Sequence, residues 1–309
     1  MKKHGNFVKF LCIMLIIPVM YISCINDLIP AKRYPKNIDI PGYGKLVYTK
    51  TLFDGNHIIE TIIDGDIIWS LDSFWGRVYR YDNNTKTRIT IDIEKKDRDG
   101  YNGIYSINPH GFIYIDHMTI NNDYLIIPFI AKSEERYSTV VSSYYIAKIN
   151  RNNASVSIEK MPDQFDNSIL HRIFFEDDKM YFQMLDSYFS DLDDVSSYVT
   201  SDFINYIELP DANEIFAKAN ISSIHMDSKG RLYETGYNFA DRKPDTFLHV
   251  SLDDGNSWFT TDMGSNFPVR VTSFNDEVYV SCECYHEMFA IYLQTIKTGG
   301  GLHIFRWER

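Results

Sequence analysis

Arginines recur along this chain at positions where they could bind an anion together. They are Arg77, Arg172, Arg231 and Arg270. If repeated units hold these side chains at similar depth around a common channel, the guanidinium groups would form a pocket for a carboxylate or phosphate. Arg172 and Arg270 are the candidate ligand-binding residues of this set. The alternative is that each arginine lies on a surface strand and pairs with one of the 42 acidic residues.

Two further sets contain metal-binding residue types. Cys282, Cys284 and His286 alternate along one predicted strand and therefore share a face, but a straight strand separates them too widely for one metal ion. We expect two small buried cysteines, with a strained disulfide as the alternative. The acidic segment at residues 186–194 is interpreted as a solvated charge run and not a calcium loop, because it lacks the glycine regularity of such loops. No metal or cofactor site is predicted.

A third pattern specifies a backbone shape. Ser251, Asp253, Gly255 and Trp258 lie between a predicted strand at residues 245–250 and another at residues 258–261. In such a hairpin tip the hydroxyl and carboxylate can accept hydrogen bonds from turn amides, the glycine can take a positive φ, and the tryptophan can fold back over the turn. The sequence therefore predicts a tight hairpin here.

The spacing Ser-x-Asp-x-Gly-x-x-Trp resembles the Asp-box of sialidase-like β-propellers. The resemblance implies a propeller blade and a structural role for Ser251, Asp253, Gly255 and Trp258. A sialidase would also need three arginines, a tyrosine nucleophile with a glutamate partner, an aspartic acid and an Arg-Ile-Pro motif in the first blade. Arg172-Ile173 lacks the proline and lies mid-chain, and the segment ending at Arg270 has the wrong order. No catalytic residue is predicted.

A repeat supports the same architecture. An apolar strand, a polar turn and a second apolar strand recur five times, at a spacing of about fifty residues, which four antiparallel strands require. The sequence predicts an all-β propeller of about five four-stranded blades, or six if an irregular blade lies within residues 187–219. A β-sandwich is the alternative. Strands at residues 45–53 and 302–307 can complete the last blade together, because an open ring would leave an unpaired edge.

The N-terminus resembles that of an exported lipoprotein. Residues 1–24 combine early lysines with an apolar run that ends in Ile22-Ser23-Cys24, which resembles a lipobox. The resemblance implies that Cys24 is acylated and anchors the chain in a lipid bilayer, although Tyr21 stands where leucine is usual. No aspartate stands immediately after Cys24, which in lipoproteins of this kind points to the outer membrane. Residues 25–44 suit a tether, and residues 45–309 the propeller domain.

These features favour a binding function. The net charge of −11 argues against a nucleic-acid partner and permits a basic protein partner. We interpret the chain as a non-catalytic, membrane-anchored binding lipoprotein of the cell envelope, with an immunity-type protein that neutralises an antibacterial effector as one version. The alternative is a sialidase-like glycoside hydrolase or glycan-binding protein. The predicted interface residues are aromatic or acidic: Tyr137, Tyr144, Tyr188, Phe189, Tyr198, Glu134, Glu135, Asp191, Asp193 and Asp194.

Overall fold

A computed structural model describes residues 34–72, 76–91, 118–134, 140–166, 168–185, 195–210, 215–216, 224–238, 243–264, 266–288 and 295–308. These residues form five antiparallel sheets, four with four strands and one with five. The prediction of an all-β propeller with about five blades is confirmed. The described part of residues 187–219 supplies strands to the third sheet and no sixth blade.

The blades are numbered in chain order. Blade 1 contains β3 (Ile58–Asp64), β4 (Ile67–Asp72), β5 (Arg77–Asp82) and β6 (Thr85–Thr90). Blade 2 contains β7 (Thr119–Ile120), β8 (Tyr124–Glu134), β9 (Val140–Asn150) and β10 (Val156–Lys160). Blade 3 contains β11 (Ile169–Glu176), β12 (Lys179–Leu185), β13 (Val195–Thr200) and β14 (Ile207–Glu208). A 3₁₀ turn at Asp163–Phe165 lies between blades 2 and 3.

Blade 4 contains β15 (Ile224–Met226), β16 (Leu232–Asn238), β17 (Lys243–Ser251) and β18 (Phe259–Asp262). Blade 5 contains β19 (Phe267–Phe274), β20 (Glu277–Met288), β21 (Thr295–Glu308), β2 (Gly44–Leu52) and β1 (Ile38–Ile40). In every blade the strands pair in chain order from the inner edge outward, except that β2 and β1 follow β21. First strands of neighbouring blades contact each other, as β19 does with β3 and with β15, so this edge of the blades faces the channel.

The ring closes through strands from both ends of the chain. β2 pairs with β21 from Lys45 opposite Glu308 to Leu52 opposite Leu302. The structure thus joins the two terminal segments in one blade, as the sequence indicated, and adds β1 as a fifth strand. This pairing covers the outer edge of β21 that an open ring would expose.

Apolar layers between neighbouring blades hold the ring together. A propeller sheet is covered on both faces, so alternate residues of a strand enter different layers. Trp69 and Phe129 belong to the layer between blades 1 and 2, and Ile146 and Phe182 to the layer between blades 2 and 3. Blade 5 packs on blade 4 and on blade 1. Each fully buried large side chain contributes roughly 2 to 3 kcal/mol.

No helix among the described residues has the length and apolar character needed to cross a membrane.

Candidate functional site

Three of the inner strands contain a β-bulge at the same position. The pairing register shifts between Ile58 and Glu60 in β3, between Leu170 and Arg172 in β11, and between Pro268 and Arg270 in β19. In each strand a charged residue follows the shift and lies four positions before the last paired residue. The equivalent residues are therefore Glu60, Arg172 and Arg270.

Two-residue turns fix this shared register. Asp177 and Asp178 both have positive φ, as do Asn275 and Asp276, which is the geometry of a type I′ hairpin turn. Gly65 has a φ of 60° in the corresponding turn of blade 1. Because the turns have equal length, residues at equal distance from them lie at the same level of the channel. A bulge changes the direction of the side chain beside it, and the same backbone irregularity precedes a charged residue in three blades.

Glu60 and Arg270 meet across the inner strands of blades 1 and 5. Arg270 Nη1 donates to Glu60 Oε1, and the backbone N–H of Met118, at the start of blade 2, donates to Glu60 Oε2 over 2.5 Å. The Glu60 side chain is 12% exposed and the Arg270 side chain 34%. One carboxylate therefore links three blades through charge-assisted hydrogen bonds, and part of the Arg270 side chain is exposed to solvent.

Buried hydroxyl groups lie next to this ion pair in sequence. Thr61 Oγ1 is 3.1 Å from Ser70 Oγ and 3.0 Å from Ser281 Oγ. Ser281 pairs with Arg270 in the β19–β20 register. These three hydroxyls connect blades 1 and 5 beside the charged pair.

Arg172 occupies the equivalent backbone position in blade 3, opposite Gln183. Gln183 is buried and its side-chain amide donates to Ser197 Oγ over 3.2 Å. The side chain of Arg172 lies outside the described residues. Its role as a ligand-binding residue, like that of Arg270, stays a prediction.

The other two arginines do not line the channel. Arg231 lies in the β15–β16 turn, where its Nε donates to Asp227 over 2.5 Å and its Nη2 to Asp276 over 3.0 Å. Arg77 begins β5, the third strand of blade 1. The hypothesis of four arginines at similar depth is therefore wrong for these two. Arg231 stands at the end of a blade, and Arg77 stands on an outer strand.

The hairpin at residues 251–258 joins β17 and β18, the two outer strands of blade 4. Ser251 Oγ accepts the Gly255 N–H at 2.9 Å, and Asp253 Oδ1 accepts the Ser257 N–H at 2.8 Å. Hydrogen bonds from Ser257 and Ser251 hold the pKa of Asp253 below its ordinary value. Gly255 has a φ of 85° and lies under the Trp258 ring. These contacts stabilise a turn at the rim, far from the inner strands.

Cys282 has a fully buried, free thiol in the layer between blades 4 and 5. Burial raises its pKa well above the ordinary value, so the thiolate needed for metal binding or redox reactions does not form near neutral pH. The side chains of Cys284 and His286, and the acidic segment at 186–194, lie outside the described residues. Within the described ranges, no group of three or more His, Cys, Asp or Glu side chains is placed to hold a metal ion.

Of the predicted interface aromatics, Tyr144 is a core residue and Tyr198 packs against the same core. Tyr144 is 4% exposed, and its hydroxyl donates to the Ser168 carbonyl and accepts the Leu170 N–H. Tyr198 packs edge-on against Phe165 at 5.0 Å between ring centroids. The role of Tyr144 as an exposed anchor is therefore wrong, whereas that of Tyr198, which is partly buried, stays a prediction. Tyr137, Tyr188, Phe189, Glu135, Asp191, Asp193 and Asp194 lie outside the described residues, as does the Glu134 side chain.

Sequence reasoning missed Glu60, although a signal was present. The residue four positions before the end of the inner strand is Glu60 in blade 1, Arg172 in blade 3 and Arg270 in blade 5. Comparing the hairpin repeats by their turns would have placed the three together. A search restricted to arginines excluded the carboxylate.

Neither the protein-family models nor the curated proteins contain a match to this sequence. Among solved structures, a xylan β-1,4-xylosidase from Bacillus halodurans C-125 aligns with a TM-score of 0.41 and 11% identity over 86% of this chain and 56% of that chain. The extracellular domain of a one component system from B. thetaiotaomicron gives 0.28 and 11% over 86% and 29%. A streptogramin B lyase gives 0.27 and 8% over 89% and 98%. The chain thus spans about half of the xylosidase, and similarity this low carries no information on function.

Proposed function

We propose that the protein is a non-catalytic binding protein of the cell envelope whose channel binds a small carboxylate-bearing ligand, in the class of acidic sugars. The observation that carries the proposal is the repeated bulge that sets Arg172 and Arg270 at one level of the channel. Arginine binds carboxylates through its planar fork of N–H donors. The Asp-box resemblance, which implies a sialidase-like propeller, supports a sugar acid over other carboxylates.

Binding is a better account of these residues than hydrolysis. Glycoside hydrolases of the common type use two carboxyl groups, one as acid and one as base or nucleophile. At the shared level, the three described positions contain one carboxylate and two arginines, and the carboxylate of Glu60 is already bonded to Arg270 and Met118. This arrangement suits recognition of an anion and provides no acid and base pair.

Arg270→Gln tests the proposal. By isothermal titration at low salt, the full-length protein in detergent is expected to bind glucuronate and not glucose. We expect Arg270→Gln to weaken glucuronate binding at least tenfold, which corresponds to about 1.4 kcal/mol. Arg306→Gln is the matched control, since Arg306 lies on the same blade, is 58% exposed and pairs with Glu277 away from the channel. Equal binding by the wild type and Arg270→Gln would contradict the proposal.

Attachment to the envelope is proposed to depend on Cys24. The acyl chains of a lipidated residue bury in the bilayer and thereby give an exported domain membrane affinity. The Cys24→Ala protein is expected to be exported but to appear in the soluble fraction, whereas the wild type sediments with membranes after a high-salt wash. Sedimentation of Cys24→Ala with membranes would contradict lipid anchoring at this residue.

A basic protein partner is the second candidate, in the manner of an immunity-type protein. Acidic residues crowd the inner hairpin turns, which all lie at one end of the ring: Asp64, Asp66, Asp123, Glu176, Asp177, Asp178, Asp227, Asp276 and Glu277. Asp64, Asp227, Asp276 and Glu277 form ion pairs with arginine or lysine, so the other five acidic residues would steer a basic partner to that end. Retention of a basic envelope protein by both wild type and Arg270→Gln, without glucuronate binding, would favour this candidate over the first.

A further inference from the structure

We infer that the Glu60 carboxylate occupies the position at Arg270 where an anionic ligand would bind, and that such a ligand must compete with it. This inference rests on the proposed function, because it concerns how the same site is regulated. Arg270 Nη1 donates a hydrogen bond to Glu60 Oε1. The channel is therefore held in an autoinhibited state by one of its own carboxylates.

The geometry favours occupation of the site by Glu60. Its other oxygen accepts the Met118 N–H, so the carboxylate is held from blade 2 as well as from blade 5. Glu60 is only 12% exposed, whereas Arg270 is 34% exposed. A solute that enters the channel therefore reaches the guanidinium more readily than the carboxylate that partly neutralises it.

Electrostatics argue that this carboxylate opposes an anionic ligand. Two carboxylates bonded to one guanidinium lie within a few ångströms of each other, and their repulsion is strong where water is partly excluded. A role in positioning Arg270 would have the opposite sign, because removing a positioning residue weakens binding. The backbone of Arg172 lies at the same level, so this residue is the second candidate to bind an incoming carboxylate. Neutralising Glu60 should therefore strengthen ligand binding if Glu60 competes with the ligand, and weaken it if Glu60 positions Arg270.

The experiment measures glucuronate affinity of the full-length protein and its Glu60→Gln variant. Glutamine keeps the length of the side chain and an acceptor for the Met118 N–H, and removes the charge. We expect Glu60→Gln to bind glucuronate at least tenfold more tightly, and the gain to disappear in the double variant Glu60→Gln with Arg270→Gln. Glu277→Gln is the matched control for the loss of one negative charge, because Glu277 pairs with Arg306 outside the channel. It is expected to leave the affinity unchanged.

Other results would overturn the inference in distinguishable ways. Unchanged or weaker binding by Glu60→Gln, with wild-type binding still dependent on Arg270, would assign Glu60 a positioning or neutral role and leave the proposed function intact. An absence of glucuronate binding to both proteins would overturn the inference together with the proposed function. If Glu277→Gln also binds glucuronate more tightly, the gain comes from the change in net charge, and competition by Glu60 is rejected. Glu60→Ala, measured in the same way, replaces Glu60→Gln if the melting temperature shows that the glutamine variant does not fold.

Discussion

Gly301→Ala is expected to lower the free energy of unfolding by about 3 to 4 kcal/mol, because it combines overpacking with backbone strain. Gly301 has a φ of 107°, outside the regions that alanine favours. A Cβ atom there would lie 2.9 Å from the Leu52 carbonyl oxygen and 3.1 Å from the Phe53 carbonyl oxygen. Both are backbone atoms, at the last residue of β2 and the residue after it, so relief of the clash requires a shift in the pairing that closes the ring.

Gly65→Ala provides a matched control. Gly65 also has a positive φ, of 60°, but nothing lies within 4 Å of the Cβ position. We expect a loss of about 1 kcal/mol from strain alone. Urea unfolding measures both losses of free energy, with the slope of free energy against urea concentration checked to be equal in the two variants. Equal losses would show that the contact with β2 is not what makes Gly301 necessary.

Asp227→Asn is expected to cost about 3 kcal/mol, because it breaks a buried ion pair and strands its partners. The Asp227 side chain is 3% exposed. Its carboxylate accepts from Arg231 Nε at 2.5 Å and from the Tyr233 hydroxyl at 2.9 Å. Tyr233 in turn accepts from Trp307 Nε1, so the network extends from blade 4 to β21 of blade 5. Urea unfolding at pH 7 measures the loss.

Asp276→Asn is the control for this network. Asp276 accepts from Arg231 and Lys229 but is 41% exposed. An exposed ion pair contributes less than about 1 kcal/mol, so a small loss is expected. A loss as large as that of Asp227→Asn would mean that burial is not what makes the Asp227 contacts strong.

The Asp227 contribution should depend on pH. Burial on its own would raise the pKa of this carboxyl, but hydrogen bonds from the Arg231 backbone and side chain, from Lys229 and from Tyr233 outweigh it and hold the pKa below the ordinary value of 3.8. The folded state therefore binds a proton less readily than the unfolded chain. The stabilisation is fully present above pH 3.8 and is lost as the pH falls through the folded-state pKa. The stability difference between wild type and Asp227→Asn should narrow over that range, and a constant difference would contradict the assignment.

The repeat and the closure of the ring could be predicted from the sequence because both depend on local or end-to-end patterns. Short polar turns of asparagine, aspartate and glycine specify hairpins through their tolerance of positive φ, as at Gly65 and Asn275. Apolar alternation marks the strands on either side. The terminal strands were identifiable because an open ring would leave each with an unpaired edge. They pair with each other, as β2 and β21.

The contacts of the site depended on tertiary structure. Glu60 and Arg270 are 210 residues apart and meet because the ring brings the first and last inner strands together. A bulge reverses which face of a strand the following residues occupy, and strand alternation read from sequence does not reveal it. Tyr144 was predicted to be exposed, but it is buried. Its hydroxyl forms two hydrogen bonds with backbone groups inside the protein. Local chemistry thus specified the blades, whereas the packing of distant strands determined which side chains face the channel.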